Sequence, residues 1–468
     1  MADRDGLWAP HRRAMTTGLI LLVTLVAFEA LAVNTVMPEV KKDLGGLALY
    51  GWVFSAFMLA TVVSISVAGR EADRRGLAPV LGAGVALFAL GLVCGGAAPS
   101  MGALVASRVV QGLGAGAVSS VANMAIGRAY PEWLRPRLLA VLSTSWVLPG
   151  LLGPSVAAVI ATVVGWRYVF FGLLPLVLLG ARLALPALRA HGPLTEAVRS
   201  TTSTSRTSDA LAVALGAALL LGGLSGAESI APLALVPIGV AILVRSLRRL
   251  TPAGTFRLRP GPPAAIALNG IMSAAFFATD SFLPLAVSDV RGRSVTLAGA
   301  ALAAGALSWT AGAWIVAHYS ARIPAYRLAR AGLLLVALGI AGVGASLSPG
   351  VPVLTFVAAW VSAGLGMGLG YQSVALIVLS GNEGEVSGFV VSARQLVDVL
   401  GASVGAGFAG ACVATAVALG RSTASGLLVA FSVLGTAALA GAVAARRLSF
   451  AGPDPNVLEV ARPSTGEP

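Results

Sequence analysis

Runs of about twenty residues almost free of charge recur along nearly the whole chain, and they constrain the fold more than any motif. The stretch "PVLGAGVALFALGLVCGGA" (79–97) is one example. About 20 such residues cross a bilayer as one helix, since only a helix or a closed barrel satisfies its backbone without water. At 468 residues the chain could otherwise form two or three soluble domains, but its composition opposes that. Hydrophobic residues make up 57% and charged residues 11%, with a mean hydropathy of +0.88. Soluble domains carry about 25% charged residues. The expected class is therefore an all-α integral membrane protein.

Apolar runs closed by charges, Pro or Gly place spans near 15–37, 50–69, 79–97, 101–127, 138–164 and 167–188. A hydrophilic stretch follows, "RAHGPLTEAVRSTTSTSRTSD", then two closely spaced runs near 210–226 and 229–247. Past the basic connector "RLRPGPP", six more lie near 264–287, 294–318, 328–347, 352–380, 387–417 and 423–445. The expected plan is about 14 transmembrane helices: two six-helix bundles plus a two-helix insert. Its parts are a first bundle at 1–190, a cytoplasmic linker and insert at 191–250, a second bundle at 251–450, and a polar cytoplasmic tail at 451–468. The charged N-terminus leads into a first span that contains Glu29 and shows no small-residue cleavage site, which reads as a retained helix.

The net charge of +13 is distributed as a membrane protein distributes it, in short basic clusters between apolar runs, so no nucleic-acid partner is expected. With both termini in the cytoplasm, 24 of the 32 Lys and Arg fall on the cytoplasmic side. Six fall outside (Lys41, Lys42, Arg167, Arg291, Arg293 and Arg421), and Arg108 and Arg394 lie within spans. Merging 210–247 into one helix would invert the second half and spoil that bias. The two cysteines, Cys94 and Cys412, sit inside apolar runs and read as small buried hydrophobes, with no disulfide or metal site implied. Two equal halves are the usual build of secondary transporters, which rock one bundle against the other around a midplane site. No phosphate-binding G-x-x-x-x-G-K-[ST] loop and no soluble segment long enough for an ATPase are present, so no ATP-driven motor is expected. The expected role is transport, with neither enzyme activity nor a cofactor.

Between the second and third spans the chain reads "GREADRRG", a short turn with carboxylates among arginines. It resembles the loop signature of the major facilitator superfamily, G-x-L-A-D-R-x-G, through Gly69, Ala72, Asp73, Arg74 and Gly76, with Glu71 in place of Leu. "RVVQGLGAG", from Arg108, looks like the R-x-x-Q-G-x-G-A motif of proton-coupled members. On a helix Arg108, Gln111, Gly112 and Ala115 share one face, and Gly112 and Gly116 permit close packing beside it. "PGLLGPSVAA" resembles the antiporter motif through Gly153 and Pro154, with Ala157 and Ala158 where a Gly pair is usual. "EALAVNTVMPEV" is similar to the first-helix signature of the fourteen-helix drug:proton antiporters, acid-x-T-x-V-N-x-A-L-P. Glu29 stands for Asp there, Asn34 and Pro38 match, and Leu31 replaces Thr.

Ionisable groups inside spans cost roughly 2.5–3.5 kcal/mol each on insertion scales and are rarely kept without a use. Here they are Glu29, Arg108, Asp280, Arg394 and Asp398. Glu29 is the candidate proton carrier and Arg108 its modulator: burial favours a neutral carboxyl and a nearby arginine favours the ionised one. A static Glu–Arg pair locking two helices is the alternative. Arg394 and Asp398, at i and i+4, can neutralise each other. Asp280 either faces a substrate cavity or reaches interfacial water near the outer end of its span. The candidate cavity set is Asn34, Gln111, Trp146, Phe277, Asp280, Arg394 and Asp398. Trp52, Phe276, Trp309, Trp314, Trp360 and Tyr371 also fall within spans, where packing or lipid contact is the commoner role of an aromatic.

The resemblance implies a monomeric exporter in the cytoplasmic membrane that trades a lipophilic or cationic small molecule for entering protons. An exporter of one endogenous metabolite or lipid, an uptake symporter, and a non-transporting scaffold or sensor remain open. A scaffold needs none of Glu29, Asp73 and Arg108.

Overall fold

The structure is a computed structural model that describes residues 6–131, 134, 137, 138, 141, 142, 145, 147–189, 205–225, 231–320, 322–380 and 386–448. Every regular element among them is helical. In chain order the first bundle contains α1 (Arg13–Leu44), α2 (Tyr50–Arg75), α3 (Leu77–Gly96), α4 (Met101–Ala129) and α5 (Val147–Val163). Its sixth helix, α6, comes in two pieces, Arg167–Phe171 and Leu174–Leu188. The insert is α7 (Ser205–Ser225) and α8 (Leu235–Leu250). The second half comprises α9 (Pro262–Leu285), α10 (Val295–Tyr319), α11 (Ala325–Ala345), α12 (Thr355–Ser380), α13 (Val386–Ala418) and α14 (Thr423–Ala444). Among the described residues eleven helices are long and apolar enough to cross a membrane; the apolar parts of α5 (Leu152–Val163) and α7 (Ser208–Leu224), and α8 with its three arginines, are shorter.

One packing pattern occurs twice. In the first half α1 lies against α5 and α6, α4 against α2 and α3, and α3 against α6. In the second half α9 lies against α13 and α14, α12 against α10 and α11, and α11 against α14. The halves meet through α2 on α13, α5 on α10 and α1 on α9. Small residues set those distances, because helices in lipid associate by close van der Waals contact. A Cβ on Gly51 of α2 would lie 2.8 Å from the Ala406 carbonyl and 2.8 Å from the Gly410 Cα of α13. Ser55 and Ser403 tie the same pair, each hydroxyl donating to the other's carbonyl (2.7 and 3.2 Å). Helix α7 packs on both α2 and α13, so the insert lies along the seam between the halves.

Two sequence expectations need correction. Helix α2 does not stop near residue 69: it runs through "GREADR" to Arg75, and the reversal is made by Gly76 alone, at φ +89°. Charge ends the apolar run there without ending the helix. Cys94 is exposed rather than buried, because α3 turns part of its surface outward and a small apolar side chain is at ease against lipid. Val163 (75% exposed) and Trp314 (73%) lie on the same kind of surface.

Candidate functional site

The first polar cluster joins α1, α2 and α4. Glu29 and Arg108 are 0% and 2% exposed, and Arg108 Nη1 donates to Glu29 Oε1 in a buried ion pair. The same Nη1 donates to Gln111 Oε1 (2.6 Å), one turn along α4, and Nε donates to the Val53 carbonyl (3.1 Å). The guanidinium also lies over the Phe57 ring, 4.1 Å from its centroid. Arg108 is thus held by three helices, whereas Glu29 is held by one oxygen. Glu29 Oε2 and Gln111 Nε2 are buried with no hydrogen-bond partner. Buried polar atoms are rarely left so, and one left at an ion pair has a cost that calls for a use. The Gly112 and Gly116 positions press against the α2 backbone, bringing Arg108 within reach of Val53 and Phe57.

A second contact crosses between the halves. Asn34 Nδ2 donates to Asp280 Oδ2 at 2.7 Å, both side chains buried. Asp280 therefore lies in the interior, not at interfacial water. Each residue precedes an in-helix proline by four, Pro38 in α1 and Pro284 in α9. A proline has no N–H, so the backbone carbonyls of Asn34 and Asp280 lose their helical donors. Two weakened helix turns thus flank this bridge. Beyond it, Lys41 pairs with Asp289 (2.6 Å) and the Tyr50 and Phe282 rings pack at 5.0 Å. With Gly51–Gly410, these contacts close the end of the bundle that carries the α1–α2 and α9–α10 connections.

The third cluster is confined to the second half. Asp398 accepts from Asn269 (3.1 Å), from Ser273 and from Tyr371 (3.0 Å). Arg394 donates to Asn269 Oδ1 (3.2 Å) and stacks on Tyr371 at 4.5 Å. The i, i+4 pair is therefore not a direct ion pair; Asn269 and Tyr371 stand between its members. An aromatic wall extends from Tyr371 through Trp309 (5.8 Å) to Phe277 (6.0 Å) and Phe276 (5.4 Å), where Phe276 stacks on Trp360 at 4.8 Å. Asn269, Ser273, Phe276, Phe277 and Asp280 share one face of α9. Trp146 lies outside the described residues.

Comparison with known proteins matches this arrangement to a family. The sequence model of the Major Facilitator Superfamily matches residues 19–406. The chain belongs to the major facilitator superfamily. It is 28% identical over 460 residues to a "Probable multidrug-efflux transporter" of Mycobacterium tuberculosis, covering 93% of this chain and 96% of that one. It is 30% identical over 164 residues to "Multidrug transporter protein MdtP" of Bacillus subtilis, covering 35% and 30% of the two chains. A crystal structure of a POT family transporter shares the fold, with TM-score 0.65, 15% identity, and coverage of 92% of this chain and 94% of that one. This chain is a multi-pass membrane transporter of the superfamily, not an enzyme.

In this superfamily member the loop motif is a helix end with a clasp. Asp73 pairs with Arg128 at the end of α4, and Arg128 also donates to the Ala72 carbonyl (3.2 Å). Glu71 faces Arg70, Arg74 and Arg75, with the Arg75 contact at 2.8 Å. Gly69 has open space where a Cβ would stand, so Gly76 is the position whose backbone requires glycine. In α5 the tight approach at the Gly153-Pro154 pair comes from the other half: a Cβ on Gly299 of α10 would lie 3.0 Å from the Pro154 carbonyl. Sequence reading missed Asn269 and Ser273, the partners of Asp398, and Ser55 and Ser403. A usable signal existed for the first two, polar residues at i and i+4 inside an apolar run, in register with Asp280.

Proposed function

We propose that the chain is a fourteen-helix, proton-coupled antiporter that exports amphipathic or lipophilic compounds across the cytoplasmic membrane by alternating access. Both termini are taken as cytoplasmic, on the charge bias. The observation that carries the reading is the Glu29 carboxyl: fully buried, held by Arg108 through one oxygen, and with the other oxygen unpartnered. A group that must take and release a proton needs a free lone pair and a counter-charge that steadies the ionised form. Arg108 is steadied by Val53, Gln111 and Phe57, so it keeps its place when Glu29 is neutral. The names of the mycobacterial and Bacillus relatives support multidrug export. The decisive measurement is proton movement in proteoliposomes on addition of a panel of dyes, drugs and lipids. A proton flux elicited by one lipid or one metabolite, and by none of the dyes and drugs, would favour the dedicated exporter.

Two substitutions test parts of the cycle. Asp73→Asn releases the clasp on Arg128 without touching the candidate cavity. Transport should slow about tenfold, or about 1.4 kcal/mol, with substrate affinity unchanged. Normal turnover at equal expression would reduce the loop to a topology signal. Asp280→Asn removes a carboxylate beside Phe276, Phe277 and Trp360. A buried carboxylate attracts a cation by about 4 kcal/mol at 4 Å and an effective dielectric of 20, before desolvation is subtracted. Export of a cationic compound should therefore fall more than that of a neutral one of similar size. Equal losses would make Asp280 structural or part of proton coupling.

A further inference from the structure

We infer that Arg394 is a receptor for an anionic group on the transported compound, a carboxylate, sulfonate or phosphate carried on an aromatic or lipophilic body. The inference rests on the export reading above and names a substrate class for it. Its basis is an imbalance in hydrogen bonding between two opposite charges. Asp398 has its oxygens engaged by three neutral donors, Asn269, Ser273 and Tyr371. A carboxylate accepts about four hydrogen bonds, so little of its capacity remains for a ligand. Arg394 offers five N–H groups in a rigid fork, and among the described residues its partners are Asn269 Oδ1 and the Tyr371 side chain, which leaves donors over. Among the described residues no carboxylate pairs with it directly. Its other support is Tyr371, whose ring lies 4.5 Å from the guanidinium carbon and whose hydroxyl is within its reach.

Position adds to the argument. Arg394 is half-buried, one helical turn before Asp398 on α13, against α9 and α12. A charged group at membrane depth turns toward protein interior or a watered cavity, not toward lipid. The surface continuing from Tyr371 is the aromatic wall of Trp309, Phe277 and Phe276, suited to a flat apolar body. An anionic head at Arg394 therefore has a lipophilic platform beside it. A bidentate oxyanion satisfies two of the free N–H groups at once, which a neutral or cationic compound cannot do.

The test uses full-length protein in nanodiscs, with empty discs as the blank, and three dyes. One is 8-anilino-1-naphthalenesulfonate, the second N-phenyl-1-naphthylamine, which keeps the rings and lacks the sulfonate, and the third ethidium. Wild-type protein should bind the sulfonate more tightly than its neutral analogue. Arg394→Gln should weaken the sulfonate about tenfold and move the neutral dye less than about twofold, which also reports an intact fold. Arg394→Lys, keeping charge but not the fork, should fall between. Equal losses of sulfonate and neutral dye in both variants would overturn the assignment, making Arg394 a packing residue. Ethidium binding with no preference for the sulfonate would also overturn it, while leaving the export reading standing. If no dye binds the wild type, both fail together.

Discussion

Glu29→Gln is expected to abolish uphill export driven by a proton gradient while leaving downhill exchange of substrate measurable. The substitution keeps nearly the same volume and keeps an oxygen to accept from Arg108 Nη1, so the junction of α1, α2 and α4 stays packed. What it removes is the titratable oxygen, the one feature of the cluster that can carry a proton. Removing one member of a buried ion pair typically costs about 3–5 kcal/mol when the other is left bare. Arg108 is spared most of that by Gln111, Val53 and Phe57. Counterflow of labelled substrate in proteoliposomes, with and without a pH gradient, separates the two activities. Uphill export persisting in the variant would place the coupling proton elsewhere, with Asp280 or Asp398 next in line. Loss of both uphill and downhill flux, with folded protein, would favour a static Glu–Arg lock.

A bulky residue at Gly410 should hold the α1–α2 end of the molecule open. An added Cβ there would stand 2.7 Å from the Gly51 Cα and 3.0 Å from its nitrogen, backbone atoms that no rotamer change can move. The crossing lies between the halves and not within either, so Gly410→Leu should spare each bundle and penalise their contact. A penalty of about 1–3 kcal/mol, ordinary for overpacking, shifts a two-state equilibrium by roughly five- to 160-fold. Transport should fall by at least about fivefold, since a cycle needs both states. In a background with Cys94 and Cys412 replaced by serine, Ser55→Cys should become open to a thiol reagent added from outside. Gly102→Ala, whose Cβ would meet only Leu49 at 4.0 Å, is the control. Unchanged labelling with normal transport would show that the Gly51–Gly410 crossing is not part of the cycle.

Much of the candidate site was legible as a set of residues. Charge inside an apolar run is costly, so Glu29, Arg108, Asp280, Arg394 and Asp398 stood out by rarity alone. Their grouping was not legible. The pairs Glu29–Arg108 and Asn34–Asp280 are separated by 79 and 246 residues, and nothing local in either segment identifies its partner. The interval of four between Arg394 and Asp398 suggested mutual neutralisation but not its form, because helical spacing brings side chains near without deciding which donor each one takes. Asn269 and Tyr371 took those bonds instead.

What the sequence determined by itself is what depends on local solvation and backbone chemistry. Twenty apolar residues without charge must become a helix in lipid, so membrane class and the positions of the apolar helices follow directly. Proline at 38 and 284 dictates where α1 and α9 lose a helical hydrogen bond, whatever surrounds them. Helix ends were less certain, because a charged run such as "GREADRR" leaves the hydrocarbon yet keeps its helical bonds. Tertiary structure alone decided which helices touch: α2 on α13, α5 on α10, and α7 along the seam. Lipid tails are as apolar as leucine, so hydrophobicity selects no neighbour within the membrane, and shape does. Close approach at Gly51–Gly410 and Gly299–Pro154 sets the two halves against each other. That setting brings Asn34 to Asp280, while packing within each half assembles the other two clusters.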